Sequence, residues 1–212
     1  MLEFELTRHH TGLILWGDYW SLERLHGLIH EIVAESPIIE DKEGLVLGLA
    51  YDVRKAFEGQ RRQAKRKHHT DTCKTYGVEI LWPVILVQVG LLRQAMAFVP
   101  TSRLDQAIMY ELEHIVESAT RAAMPVTADD VLERMRRLGS APYAHLDSVL
   151  NTRCRYFIEL PAGERLSVLP KLMDTFEPAY AFVASQGGPP RAGMIRPSAF
   201  AYTGDDWPDF EW

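Results

Sequence analysis

The sequence lacks the short motifs that identify the common catalytic sites. It contains no G-x-S-x-G nucleophile elbow, no G-x-x-x-x-G-K phosphate loop, no dinucleotide-binding glycine fingerprint and no H-E-x-x-H pair. These absences exclude the standard forms of the corresponding enzymes. An enzyme whose site is assembled from scattered residues stays an alternative, but the residues themselves predict no catalytic group and no cofactor.

Cysteine is scarce as well. The two cysteines, Cys73 and Cys154, lie far apart and belong to no C-x-x-C pair. The chain opens M-L-E-F-E, without the basic region and the apolar run of an export signal. We therefore expect two reduced thiols and a cytoplasmic location.

An uninterrupted apolar run is also missing. The nearest approach is V-E-I-L-W-P-V-I-L-V-Q-V-G-L-L-R-Q-A-M-A-F-V at residues 78–99, where two charged and two amide-bearing glutamine side chains break the run. A membrane span needs about 20 apolar residues with few or no charges. After Pro83 the apolar residues fall on all sides of a helical wheel, which is typical of an element buried all round. The stretch predicts a central buried helix at residues 83–98, with a central strand at 84–89 as the alternative.

The remaining hydrophobic pattern predicts an α+β fold that is mainly helical. Apolar and polar residues alternate along residues 2–7, and residues 12–16 resemble a partner strand, so we expect an N-terminal β-hairpin. A second hairpin is expected near residues 154–169, where alternation continues on both sides of P-A-G-E. Both hairpins are expected to pack around the central helix.

Two neighbouring segments carry mixed signals. Residues 45–53 fit a buried strand, yet their apolar positions also fit a helix, and both assignments stay open. From residue 52 onward we expect a helix that runs into a basic segment. Residues 70–77 are then expected to form a polar connection.

Capping signals mark the starts of three helices. Asp18 or Ser21 precedes a helix that reaches about residue 36. Ser102 with Asp105 resembles a capping box ahead of the clearest helical pattern of the chain. Thr127 repeats the signal before a shorter helix that ends near residue 138.

A change of composition near residue 186 predicts two parts. Residues 1–185 are expected to form a single globular α+β domain. Glycine and proline at residues 187–190 then break any regular element, and the chain ends T-G-D-D-W-P-D-F-E-W. We interpret residues 186–212 as a Gly/Pro-rich linker followed by an acidic, aromatic C-terminal tail.

The net charge of −6 hides an uneven distribution. Of 23 basic residues, five lie within residues 61–67, so the rest of the chain carries 18 basic against 29 acidic residues. An acidic body does not suit nonspecific nucleic-acid binding, whereas a concentrated basic patch does. The candidate polyanion-binding residues are Arg61, Arg62, Lys65, Arg66 and Lys67.

Two interpretations of this basic segment compete. A solvated helix end or loop is the structural one, since charge runs usually face water. As a helix, the segment spreads its charges around most of its surface and defines no groove-facing edge. No aromatic residue interleaves with it, so stacking of single-stranded bases is not supported.

Histidines and carboxylates form only weak metal patterns. His26 and His30 are spaced i, i+4, and Glu111 with His114 forms a single E-x-x-H pair. A carboxylate-bridged bundle needs matching carboxylates from other helices, and a zinc site needs cysteine or histidine pairs. We therefore predict no metal site.

One order of elements resembles a winged helix. Residues 127–138, residues 144–152 and the expected hairpin at 154–169 match a helix-turn-helix followed by a wing. The second helix offers Asp147 and almost no positive charge before Arg153, whereas a helix that reads the major groove carries donors. DNA reading by this element is a minor alternative.

The tail gathers aromatic side chains among negative charges. Because three aromatics cannot form a core alone, the tail must dock on its own chain or on a partner. It resembles the acidic, aromatic-ended tails with which bacterial single-stranded-DNA-binding proteins recruit partners, although it ends in Trp212 where those tails end in Phe. The candidate partner-binding residues are Asp205, Asp206, Trp207, Asp209, Phe210 and Trp212.

Three short sequence segments resemble a known protein family. These are G-D-Y-W at residues 17–20, Y-D-V-R-K-A at 51–56 and Y-G-V-E-I-L-W-P at 76–83. They are similar to an uncharacterised bacterial protein family of roughly this length, with no assigned activity. The resemblance covers most of the chain and implies no functional residues.

These observations favour a noncatalytic bacterial protein-binding module. The expected setting is an immunity-type inhibitor or an accessory subunit of a toxin or phage-defence system, with another protein as partner and no membrane. The alternative is a nucleic-acid-associated protein that uses residues 61–67. An enzyme with an unrecognised site comes third.

Overall fold

A computed structural model describes residues 1–68, 71–185, 193–201 and 207–212. Within them, helices predominate over a single sheet, so the predicted mainly helical α+β class is confirmed. The elements in chain order are β1 (Leu2–Leu6), β2 (Gly12–Gly17), α1 (Tyr19–Glu35), α2 (Leu45–Phe57), β3 (Arg62–His68), β4 (Asp71–Leu81), α3 (Trp82–Met96), α4 (Arg103–Ala123), α5 (Ala128–Leu138), α6 (Tyr143–Glu159), α7 (Ala162–Asp174), α8 (Pro178–Ser185) and a 3₁₀ turn (Pro197–Phe200).

The sheet has four antiparallel strands in the order β1-β2-β4-β3. β1 and β2 form the predicted N-terminal hairpin, which is confirmed, with Leu2 opposite Gly17 and Leu6 opposite Leu13. All six residues of β2 are buried, because this strand has a neighbour on both sides. Leu13 and Leu15 face the helices and belong to the hydrophobic core.

The two strands of the second hairpin extend past the rest of the sheet. β2 pairs with β4 from Tyr76 to Leu81, whereas β3 pairs with β4 from Asp71 to Gly77. Residues 64–68 and 71–75 therefore form a two-stranded projection, which we call the basic arm. This arm sits at the edge of the sheet, where β3 has β4 as its neighbour.

The central helix prediction is confirmed by α3. Of its 15 residues, 12 are buried, and helices α1, α2, α4, α5, α6 and α7 all contact it. Pro83 lies in the first turn, where a missing N–H costs no helical hydrogen bond. The backbone N–H of Trp82 instead donates to the carbonyl of Thr11 at 3.0 Å, which joins the helix to the first hairpin.

The second hairpin expected near residues 154–169 is wrong. α6 continues to Glu159, and α7 begins at Ala162. Cys154, Phe157 and Ile158 are buried on α6 at the i, i+3, i+4 spacing of a helix. The winged-helix order is wrong for the same reason, since no strand follows α6 within the described residues.

The basic segment is also a strand, contrary to the expected helix. Residues 45–57 form α2, which settles the open assignment in favour of a helix, but α2 ends at Phe57. The predicted polar connection belongs to β4 from Asp71 onward. Thr72, Thr75 and Tyr76 favour a strand there, and β3 is held extended by pairing with them.

Two predicted caps are confirmed. Asp18 accepts a hydrogen bond from the backbone N–H of Ser21 at 2.9 Å at the start of α1. Burial raises the pKa of Asp18, but hydrogen bonds from Ser21 and from the N-terminal ammonium outweigh it and lower this pKa to about 2. Ser102 and Asp105 form the reciprocal capping box of α4.

None of the helices in the described parts of the chain is both long enough and apolar enough to cross a lipid bilayer.

Candidate nucleic-acid interface

The strand conformation of β3 divides its charges between two faces. Successive side chains of a strand point to opposite sides, so Arg62 and Arg66 share one face while Lys65 and Lys67 share the other. Lys65 lies directly opposite Lys74 of β4. Lys74 is four residues before Val78 on the same strand, so the two side chains point to the same face of the sheet. Val78 belongs to the core beneath the helices, and the lysines therefore lie on the helix side of the sheet.

The face turned away from the helices is neutralised by carboxylates. The Arg62 Nε donates to the Glu79 Oε1 at 2.7 Å, and this hydrogen bond raises the pKa of Arg62. Arg66 forms an ion pair with Glu3, and its guanidinium lies 5.0 Å from the centre of the Trp16 ring. These two candidate residues are therefore engaged within the chain.

Arg61 is also occupied. It precedes β3, and its guanidinium pairs with Asp52 of α2 at 3.1 Å. Three of the five residues predicted to bind a polyanion thus have a carboxylate partner. The other two, Lys65 and Lys67, have no ion-pair partner among the described residues.

The helix side of the arm carries the unneutralised charge. We call Lys65, Lys67 and Lys74 the lysine face; all three are exposed. Like charges directly opposite each other across two strands are destabilising, so the Lys65–Lys74 pair costs stability. Among the described residues no carboxylate lies within ion-pair distance of these three ammonium groups. The arrangement is a small, concentrated positive surface.

Lys74 was missed by the sequence prediction, because residues 70–77 were interpreted as a connection. Thr72, Thr75 and Tyr76 favour a strand and so place Lys74 in one, but the sequence does not show that it lies opposite Lys65. The Lys74 ammonium lies 5.0 Å from the centre of the Tyr76 ring. This contact directs the lysine along the arm toward the body of the protein.

The described part of the tail lies against its own chain. Phe210 and Trp212 pack on the hydrophobic core and contact each other edge to face at 5.1 Å. The Trp207 Nε1 donates to the side chain of Asn151, and Glu211 pairs with His9 at 3.1 Å. Asp205 and Asp206 fall outside the described residues, while Asp209 is exposed. Partner binding by the tail stays a prediction.

The docked tail borders a cleft of about 540 Å³ between α2, β4, α3 and α6. Trp207 and Trp212 line it from the tail, and Gln88 lines it from α3. The Gln88 Nε2 donates to the carbonyl of Leu45 at 2.9 Å, while its buried Oε1 has no partner among the described residues. Gln88 thus brings this buried hydrogen-bond acceptor to the wall of the cleft.

The histidines and carboxylates considered for a metal do not converge. The rings of His26 and His30 are 4.4 Å apart at their centres. Glu111 accepts a hydrogen bond from the backbone N–H of Leu2 at 2.7 Å, and His114 is exposed. The described residues contain no group of three or more His, Cys, Asp or Glu side chains that is able to hold a metal ion.

Both cysteines are free thiols in different surroundings. Cys73 is exposed on the basic arm, on the face opposite to Lys74. Cys154 is buried in α6, and this burial raises the pKa of its thiol. An unreactive core thiol and an accessible arm thiol follow from these positions.

Comparison with known families identifies the chain. Residues 2–212 match the family model described as Domain of unknown function (DUF6904). The chain belongs to the DUF6904 family. This confirms that the family it resembles is an uncharacterised one. The DUF6904 match includes the basic arm and the tail, and no curated protein or solved structure shows a significant match to the chain.

Proposed function

We propose that this DUF6904 protein binds nucleic acid through the phosphate backbone and that the lysine face of the basic arm is the contact surface. The observation that supports this most directly is the cross-strand pair of Lys65 and Lys74, with Lys67 beside it. A bound phosphate placed between like charges offsets their repulsion, and clustered Lys and Arg supply the electrostatic footprint of nucleic-acid binding.

A structural explanation for edge lysines also exists. Charged residues on an edge strand prevent pairing with other chains. A cross-strand pair of opposite charges protects an edge equally well and adds a favourable contact. The Lys65–Lys74 pair adds an unfavourable contact instead. Phosphate binding explains this pair of like charges, and edge protection does not.

The shape of the arm supports backbone contact rather than base reading. A two-stranded ribbon fits the major groove of a duplex, and it also offers a flat charged surface to a single strand. Lysine acts as a compact point charge without the fork geometry of arginine, so it positions a phosphate but reads no base. We expect affinity with little sequence preference.

The acidic remainder of the chain limits where nucleic acid makes contact. With a net charge of −6, the body repels polyanions, so binding is directed to the arm. Protein binding by the tail, and a bacterial toxin or phage-defence setting, stay predictions from the sequence beside this proposal.

The test is the salt dependence of binding by the whole chain. Fluorescence anisotropy with a labelled oligonucleotide of about 20 nucleotides is expected to give an affinity that falls with salt between about 50 and 200 mM. Three phosphate contacts predict a slope of log K against log salt of about −2 to −3.

The control ligand is polyglutamate of matched charge. Absence of oligonucleotide binding at the lowest salt rejects the proposal. Equal affinity for polyglutamate rejects it too, because the lysine face then accepts acidic peptide rather than phosphate backbone.

A further inference from the structure

A cluster of aromatic rings, two of them exposed and two partly buried, lies where α1 begins and α2 ends. The Tyr19 ring contacts Trp20 at 5.1 Å and Phe57 at 5.4 Å between ring centres, and Phe57 contacts His26 at 5.7 Å. Trp20 is 67% exposed and Tyr19 is 42% exposed. We call Tyr19, Trp20, His26 and Phe57 the aromatic platform. Large rings held in place but open to water are suited to stacking on a flat ligand.

The register of the sheet places the start of α1 close to the base of the basic arm. Gly17, the last residue of β2, lies opposite Tyr76 of β4, and α1 begins two residues later at Tyr19. Tyr76 in turn carries the Lys74 ammonium over its ring. Both α1 and α2 contact β4 on its helix side, which is the side of the lysine face.

The aromatic platform has acidic neighbours, and the positive charges of the lysine face lie on the side toward β4. A polyanion is therefore expected on that side. Burial lowers the pKa of His26, and the nearby positive charges of His30 and Arg54 lower it further, which favours the neutral ring. Glu23 and Glu58 are the acidic neighbours of His26. The positive charges of the lysine face lie toward β4, so a strand with both bases and phosphates matches the surface better than an apolar protein segment.

We infer that the aromatic platform and the lysine face form one binding surface for single-stranded nucleic acid, with bases stacking on Trp20 and Tyr19 and phosphates lying on the lysines. This inference rests on the proposed function and names its substrate class. A duplex keeps its bases stacked on each other, so it uses the lysines alone. Single strands use both parts of the surface, and stacking is tolerant of sequence.

The sequence alone did not support stacking, because no aromatic residue lies within residues 61–67. The rings come instead from α1 and α2, two helices that contact β4 in the fold.

The test compares Trp20→Ala with the intact chain on three ligands: oligo-dT, oligo-U and a DNA duplex of equal length. Loss of one stacking base is expected to weaken binding of the single strands about 10-fold and to leave duplex affinity unchanged. Trp20→Phe is expected to recover most of the loss, because it retains a ring. Phe98→Ala is the matched control, since Phe98 is 52% exposed and follows the end of α3 that lies away from β4.

The outcomes distinguish failure of the inference from failure of the proposed function. Unchanged single-strand affinity in Trp20→Ala overturns the inference, and so does an equal loss on single strands and duplex. If the intact chain binds none of the three ligands at low salt, the proposed function has failed instead. A loss with oligo-dT and not with oligo-U, or the reverse, assigns the site to DNA or RNA.

Discussion

Charge reversal of the lysine face, Lys65→Glu with Lys67→Glu and Lys74→Glu, is expected to weaken nucleic-acid binding by about 100-fold or more at low salt. Three phosphate contacts are lost, and three repulsive charges replace them. The fold is expected to survive, because all three side chains are exposed and none takes part in an ion pair among the described residues. Anisotropy titrations measure the affinity, and circular dichroism with thermal unfolding checks the fold.

A second triple variant separates the position of the charges from the change in net charge. Arg103→Glu, Arg136→Glu and Lys171→Glu alter three exposed residues of α4, α5 and α7 by the same total charge. This control is expected to lose far less affinity. Equal losses in the two variants would show that net charge alone governs binding, and the lysine face would then have no special role.

The second large effect is expected at Gly90, where α3 crosses α5. A Cβ on Gly90 would lie 2.6 Å from the carbonyl oxygen of Met135, and the backbone of α5 must move to admit it. Overpacking of this kind costs about 2 kcal/mol, so Gly90→Ala is expected to lower the free energy of unfolding by about that amount. Urea denaturation followed by fluorescence measures the change.

Gly27 provides the matched control on another helix. It lies within α1, it is exposed, and an added Cβ meets no atom within 4 Å. Gly27→Ala is therefore expected to raise the free energy of unfolding by about 0.5–1 kcal/mol, because alanine loses less backbone entropy in a helix. If Gly90→Ala raises the free energy of unfolding as Gly27→Ala does, the close approach of α3 and α5 at Gly90 is wrong.

The elements with long helical periods and the N-terminal hairpin were predictable from the sequence, whereas the short alternation around Pro161 was misleading. Leu22, Leu25 and Ile29 recur at helical spacing over several turns of α1, and a pattern of this length predicts a helix and not a strand. Around Pro161 the alternation covers few residues on each side, and the same apolar positions also fit helices α6 and α7. A short window cannot separate these two periods.

The helix predicted for the basic segment was wrong for a different reason. Arginine, lysine, glutamine and alanine are good helix formers, so the local preference of residues 61–67 is helical. Pairing with β4 overrides it, and that pairing depends on residues outside the segment. Lys65 and Lys67 were identified as candidates, whereas Lys74 and the aromatic platform become visible only when the sheet register is known.

The most direct test of the central claim is the reactivity of individual lysines toward an amine-acylating reagent, read by mass spectrometry. Saturation with a single-stranded oligonucleotide is predicted to protect Lys65, Lys67 and Lys74, while Lys42 and Lys171 keep their reactivity. Protection of Lys42 or Lys171 instead, or unchanged reactivity of the lysine face in the bound complex, would contradict it.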